Sequence, residues 1–199
     1  DVVFPVLHGT FGEDGTMQGL LELDGVAYVG AGVLGSAVGM DKAVFRDVMI
    51  AHNIPVVESV LLLKSQIEQE LDAAVHYVET SLKGVYPLFA KPANLGSSVG
   101  ITKCHSRSDL MEGLLDAARF DRRVLVERGV NAREIEVSVL GNDNPRASVP
   151  GEILPSREFY SYESKYVDAT SGLVIPAQIP AETAEQITHY AVLAYQAID

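Results

Sequence analysis

The chain has 199 residues, 47% hydrophobic and 21% charged, which suits one large or two small folded domains and excludes a disordered chain. Its formal net charge of −12 argues against a nucleic-acid partner, although a nucleotide site is built locally and needs no basic protein around it. Cys104 is the single cysteine, which excludes an intrachain disulfide, and no apolar run reaches the roughly 18 residues of a membrane span, so a cytoplasmic protein with no membrane partner is expected.

Residues 2–7, Val-Val-Phe-Pro-Val-Leu, read as a buried strand, and residues 8–15 as a loop at its end. Thr16–Leu23 has helical spacing, with Asp24-Gly25 as a stop. A short strand is expected at 26–29, and the glycine-rich stretch 30–39 reads as a loop. The spacing predicts a helix over 41–52 with Val44, Val48 and Met49 near one face, ended by Asn53 and Pro55, and then extended chain to residue 63. A helix over 65–82 carries Ile67, Leu71, Ala74, Val75 and Val78 as its inner stripe.

Strands at 86–91 and 99–103 flank the small-residue stretch between them, and Ser106 or Ser108 caps a helix running to about Arg119. Further strands are expected at 124–127, 135–140 and 147–154. Residues 156–172 are polar, bear aromatics and lack periodicity. They read as a long functional loop. Ala181–Ile198 closes the chain as a helix. The order is mixed α/β (α+β), antiparallel after residue 84. The chain opens without methionine and stops directly after a helical pattern, so both ends read as cut.

The sharpest local feature is Lys91-Pro-Ala-Asn-Leu-Gly96-Ser97-Ser98-Val99-Gly100. A lysine at a strand end followed by a glycine–serine loop can hold phosphates: glycine lets the backbone approach, N–H groups and hydroxyls donate, and the ammonium neutralises charge. A β-hairpin loop with a surface lysine explains the stretch as well, and the order of a Walker loop is absent. Gly96-Ser97-Ser98-Val99-Gly100 also matches the nucleophile elbow of a serine hydrolase, with Ser98 as nucleophile. That motif needs a strand before it and a helix after it, where a second strand is expected here.

His8-Gly9 and Glu13-Asp14-Gly15 follow a strand, where ligands gather in open α/β sheets, although a capped turn accounts for the acids too. Glu127 and Glu134 flank a short break and could accept from an adenine amine or ribose hydroxyls; two exposed strand-end acids is the plainer reading. Lys165 in the long loop could close on a phosphate, or pair with Glu163 in solvent. His52, His76, His105 and His189 show no metal-ligand spacing, and Cys104 reads as a small core or edge residue.

Taken in order, these pieces resemble the D-alanine–D-alanine ligases of the ATP-grasp class. The resemblance is carried by His8-Gly9, Glu13-Asp14-Gly15, Gln18-Gly19, Met40-Asp41-Lys42, Lys91-Pro92, Gly96 to Gly100, Val126-Glu127, Glu134, Gly151-Glu152, Phe159-Tyr160, Tyr162-Glu163, Lys165-Tyr166 and Ile179-Pro180-Ala181. It implies an ATP-grasp fold: residues 1–39 as the tail of a Rossmann-like N-terminal domain, 40–126 as a central subdomain, and 127–199 as part of a C-terminal subdomain with 156–172 as lid. ATP would lie between the last two.

By the same resemblance, Lys42 and Lys91 would hold the ATP phosphates, and Gly96, Ser97, Ser98 and Val99 would fold over them. Glu127 would meet the adenine, with the backbone of Arg128 to Val130, and Glu134 the ribose. Lys165 would reach the γ-phosphate. Ser97 and Tyr166 would shape the second D-alanine site, and His8 would lie near the first. The implied reaction joins two D-alanines through an acyl phosphate for peptidoglycan synthesis, with ATP and Mg²⁺ (or Mn²⁺). Tyr166 favours the dipeptide over the D-alanyl-D-lactate that some relatives make. The family's metal-binding segment would lie beyond Asp199 and the start of its N-terminal domain, which supplies a glutamate to the first substrate site, before Asp1, so the 199 residues alone are expected to be inactive; a homodimer through that N-terminal domain is the family's usual assembly.

Overall fold

The computed structural model describes residues 1–154 and 172–198, which form two compact units: residues 1–46 with 56–130, and residues 47–55 with 131–199. The loop expected at 156–172 falls almost wholly outside the described residues.

The first unit opens with strand β1 (Val2–Val3), paired in parallel with β2 (Ala27–Tyr28). The strand expected over 2–7 is thus only two residues long. Phe4 and Val6 are 70% and 71% exposed, because a single short partner strand is all that the described residues lay beside them. Helix α1 (Thr16–Leu23) lies between the two strands, at the expected bounds.

A helix, α2 (Val33–Met40), replaces the loop expected at 30–39. Glycine disfavours a helix by about 1 kcal/mol, and α2 forms with Gly35 and Gly39 inside it, packed against a glycine of another element. The backbone at Gly15, at φ +91°, comes so near α2 that a Cβ there would sit 2.8 Å from the Val33 carbonyl oxygen.

Helix α3 (Lys42–Ala51) begins at Asp41, whose buried carboxylate accepts from the N–H groups of Ala43 and Val44 at 3.2 and 3.0 Å. Its buried positions are Ala43 and Met49, whereas Val44, expected inside, is 38% exposed.

The core of this unit is an antiparallel sheet in the order β3 (Ser59–Leu63), β6 (Arg123–Arg128), β4 (Leu88–Pro92), β5 (Thr102–Cys104). One face buries Leu62, Leu88, Ala90, Cys104, Val124 and Val126 against helices α4 (Lys64–Gln69), α5 (Leu71–Ser81) and α6 (Arg107–Phe120). The single helix expected over 65–82 is broken at Glu70, where no Pro or Gly marks the sequence. Ile67 before the break and Ala74, Val75 and Val78 after it all reach the same core.

Ser106 is the residue that caps α6: its hydroxyl accepts from the Asp109 N–H while the Asp109 carboxylate accepts from the His105 N–H. Cys104 is fully buried, and burial pushes its thiol up to about 11.

The second unit holds an antiparallel sheet of β11 (Gly172–Val174), β10 (Gly151–Leu154) and β7 (Glu134–Glu136). The strand expected over 135–140 is split. Its second half, β8 (Val139–Leu140), pairs instead with β9 (Arg146–Ala147), because Ser138 and Ser148 exchange hydrogen bonds at the division. Helix α7 (Ala181–Ile198) runs over the expected residues, and the Tyr195 hydroxyl donates to the Gly141 carbonyl at 2.5 Å.

Candidate functional site

The face of the larger sheet opposite its helical core gathers polar and aromatic side chains. Side chains alternate along a strand, so burying Leu88, Ala90 and Pro92 of β4 forces Phe89 and Lys91 to the other side. Register then decides their neighbours: Lys91 stands opposite Leu125 and Phe89 opposite Glu127 on β6, while Lys103 on β5 faces Phe89 from the other flank.

The Lys91 ammonium reaches diagonally to Glu127, Nζ to Oε2 at 2.5 Å, with the two side chains 16% and 25% exposed. Lys103 Nζ sits 5.9 Å from the centre of the Phe89 ring, a cation–π contact. A carboxylate, an aromatic face and two ammoniums thus occupy one side of three strands.

Beyond β4 the chain enters the glycine–serine loop. Its root is held from two distant places. The Asn94 N–H donates to Asp121 at 2.7 Å, Ala93 N–H to the Arg123 carbonyl at 3.0 Å, and Lys42 N–H to the Ala93 carbonyl at 2.9 Å. The Lys42 ammonium donates to the carbonyls of Pro92 at 3.2 Å and Leu95 at 2.5 Å. Asp41, one residue earlier, is paired with Arg123.

At the tip, Ser97 and Ser98 have left-handed backbone, φ 54° and 59°, and the Val99 N–H donates to the Gly96 carbonyl at 3.3 Å. Successive residues of that kind turn backbone N–H groups toward one point, which suits an anion. The Gly9 Cα lies 3.4 Å from where a Cβ on Gly96 would be, so the segment after β1 meets this loop through its backbone.

The sequence-expected residues fall unevenly. Gly9, beside His8, together with Lys42, Lys91, Gly96, Ser97, Ser98, Val99 and Glu127, belongs to the first unit, around one loop and one sheet face. Arg128 pairs with Glu58 at 3.0 Å and Val130 is 58% exposed. Glu13 and Asp14 act as turn acids: Glu13 accepts from the Gly9 N–H, and Asp14 from Phe11 and Thr16 at 2.8 and 3.0 Å.

Glu134 belongs to the second unit, exposed on β7 opposite Ile153. Beside it Arg133 grips Glu152 through two bonds of 2.6 Å and donates to the Gln178 carbonyl at 3.0 Å. Lys165 and Tyr166 lie outside the described residues.

The serine-hydrolase alternative fails on geometry. Ser98 is followed by Gly100 and strand β5 rather than a helix, and the next helix starts only at Arg107. Sequence reasoning passed over Asp121, Arg123, Lys103 and the role of Asp41. Only Asp41 carried a local signal, a capping residue directly before a helix. Among the described residues, no three His, Cys, Asp or Glu side chains gather as a metal site requires, and no helix is long and apolar enough to cross a membrane.

Family profiles match the chain in two stretches: the D-ala D-ala ligase N-terminus over residues 1–31 and the D-ala D-ala ligase C-terminus over residues 48–199. The D-alanine–D-alanine ligase of Acetivibrio thermocellus is 51% identical over all 199 residues, which cover 52% of that protein. That of Natranaerobius thermophilus is 47% identical over the same 199 residues, 54% of its length. Among solved structures, the VanG D-Ala:D-Ser ligase from Enterococcus faecalis superposes with a TM-score of 0.86 at 39% identity, over the whole of this chain and 56% of that one. The D-alanine-D-alanine ligase from Coxiella burnetii gives 0.83 at 35% identity, over the whole of this chain and 51% of that one. The chain spans about half the length of the curated relatives it matches. With both profiles matched in order and the fold shared with solved ligases, the chain belongs to the D-alanine–D-alanine ligase family.

Proposed function

We propose that the protein carrying this chain joins two D-alanines to D-alanyl-D-alanine at the expense of ATP, in the cytoplasm, as a step of peptidoglycan precursor synthesis. The observation that carries this reading is the Lys91–Glu127 pair on the open sheet face, next to the left-handed Ser97-Ser98 turn, in a chain of this family. Residues 1–39 are the end of the N-terminal domain, 40–126 the central ATP-grasp subdomain and 127–199 part of the C-terminal one.

In this reading Lys91 and Lys42 neutralise the phosphates, N–H groups of Gly96, Ser97, Ser98 and Val99 cradle them, and Glu127 accepts from the adenine amine beside the backbone of Arg128 to Val130. Glu134 takes the ribose and Lys165 the γ-phosphate. His8 borders the first D-alanine, and Ser97 and Tyr166 border the second. A D-alanine carboxylate oxygen attacks the γ-phosphorus and ADP leaves, giving an acyl phosphate. The second D-alanine, its amine having lost a proton, attacks the acyl carbon, and inorganic phosphate departs as the peptide bond forms. The protein's share is to hold reactants in line, neutralise charge and exclude water from a hydrolysable intermediate. The divalent metal such a reaction uses, Mg²⁺ or Mn²⁺, supplies charge neutralisation at the phosphates, and no step is assigned to it on these residues.

A D-serine acceptor is the second reading, favoured by the likeness to VanG. The test is phosphate release by the full-length protein with ATP, Mg²⁺ and D-alanine alone, or with D-serine or D-lactate added. Release with D-alanine alone is expected. Release only after D-serine or D-lactate is added would reassign the product, and silence with every acceptor would overturn the ligase reading.

A further inference from the structure

The glycine–serine loop is fixed at its root by residues that lie well outside it. Its first residues bond both to the start of α3 and to the segment before β6. Asp121 stands at the centre of the turn: one carboxylate oxygen accepts from the Asn94 N–H at 2.7 Å and the other from the Arg123 N–H at 3.1 Å. The Arg123 carbonyl takes the Ala93 N–H at 3.0 Å, and its guanidinium pairs with Asp41. Asp41 in turn caps the helix whose first residue is Lys42, and Asp41 and Asn94 are joined by a β-bridge. The fully buried Ala93 packs with Ala43 and Leu125 in a small apolar cluster beneath this network.

We infer that Asp121, with the Asp41–Arg123 pair behind it, is a positioning group for the triphosphate: it fixes where the loop leaves the sheet and so sets the tip N–H groups and the Lys42 ammonium relative to each other. The physical reason is stiffness. A carboxylate accepting two backbone N–H groups holds both strand ends in one geometry, and charge-assisted bonds of this kind are about twice as strong as neutral ones. Without the bracket the loop root gains freedom, and N–H groups aimed at phosphate oxygens lose the preorganisation that makes them effective. Asp121 itself contacts backbone rather than ligand, so its effect falls on the phosphates and leaves the base-binding face, three strands wide and anchored in the core, as it was.

This inference rests on the phosphate-loop reading above, and the experiment separates the two. In the full-length protein, affinities for a non-hydrolysable ATP analogue and for adenosine are measured by competition for wild type, Asp121→Ala, Asp121→Asn and Arg123→Gln, together with D-alanine-dependent phosphate release. Asp121→Ala is expected to weaken the analogue roughly tenfold while adenosine stays within about twofold, and to raise KM for ATP far more than it lowers kcat. Asp121→Asn, which keeps one acceptor oxygen but turns an amide NH2 toward the other backbone donor, recovers at most part of the loss. Arg123→Gln shows the same split and decides the matter should Asp121→Ala not fold. Equal loss of adenosine and analogue, or no loss of either, overturns the inference. Wild-type protein that binds the analogue but releases no phosphate sinks the ligase reading alone, with positioning still decided by the affinity ratio. Wild-type protein that does not bind the analogue overturns both.

Discussion

Lys91 on β4 and Glu127 on β6 meet at 2.5 Å across neighbouring antiparallel strands, on the sheet face that the helical core leaves open. In the proposed reading, an ion pair in that place serves recognition more than folding. Its partners are only partly shielded, and each is a group that a nucleotide could engage.

Lys91→Ala should therefore separate function from stability. Phosphate release that depends on D-alanine should fall on the order of 100-fold or more in the full-length protein, the usual loss when one charge-stabilising donor is removed. The unpartnered, partly buried Glu127 should lower folding stability by about 1–3 kcal/mol. Steady-state kinetics beside urea unfolding checks this, and a variant with wild-type turnover would remove Lys91 from the phosphate site.

The loop closes at Gly100, where φ is +69° and a Cβ would lie 2.8 Å from the Phe120 ring and 2.9 Å from Pro92 Cγ. Gly100→Ala should cost about 2–4 kcal/mol, the sum of left-handed strain and overpacking. Gly84→Ala is the control: φ is +62° but nothing lies within 4 Å, so only the backbone cost of roughly 1 kcal/mol applies. Equal denaturation midpoints for the two variants would contradict the packing argument.

In the second unit, the Arg133 fork on Glu152 holds that carboxyl below its ordinary value of 4.5, against the opposing effect of burial. A depressed carboxylate stabilises the fold above its unfolded pKa and loses that contribution as pH falls through the folded value. Melting temperatures of wild type and Glu152→Gln should differ at pH 7 and converge as pH drops below about 4.5. A gap that does not narrow as pH falls below about 4.5 would mean that packing, rather than charge, is what the substitution removes.

Cys104 is fully buried beneath α6, with its thiol raised to about 11. Alkylation by iodoacetamide at pH 8 should be slower in the folded protein than in urea by about 100-fold or more, since both the thiolate fraction and access are suppressed. Comparable rates would show that this core opens readily.

Local order was legible in the sequence wherever a periodic apolar pattern met a punctuating residue. Thr16–Leu23 and Ala181–Ile198 appear at the expected bounds, and Ser106 caps where a serine before a helix should. The family, too, was readable, because motifs such as Lys91-Pro92 and Gly96 to Gly100 keep their order along the chain whatever the fold does with them. Only tertiary structure could decide the rest. Gly35 and Gly39 argue for a loop in isolation, and α2 forms there because close packing against Gly15 outweighs a weak propensity. Nor does any local pattern join Asp41 to Arg123, or Asp121 to Asn94, since such bonds depend on strand register and on where a turn lands. Sequence determined which groups the protein has to offer a phosphate in the proposed reading. The fold decided which face they share and what holds them in place, because burial of alternate residues on β4 leaves Lys91 one direction in which to point.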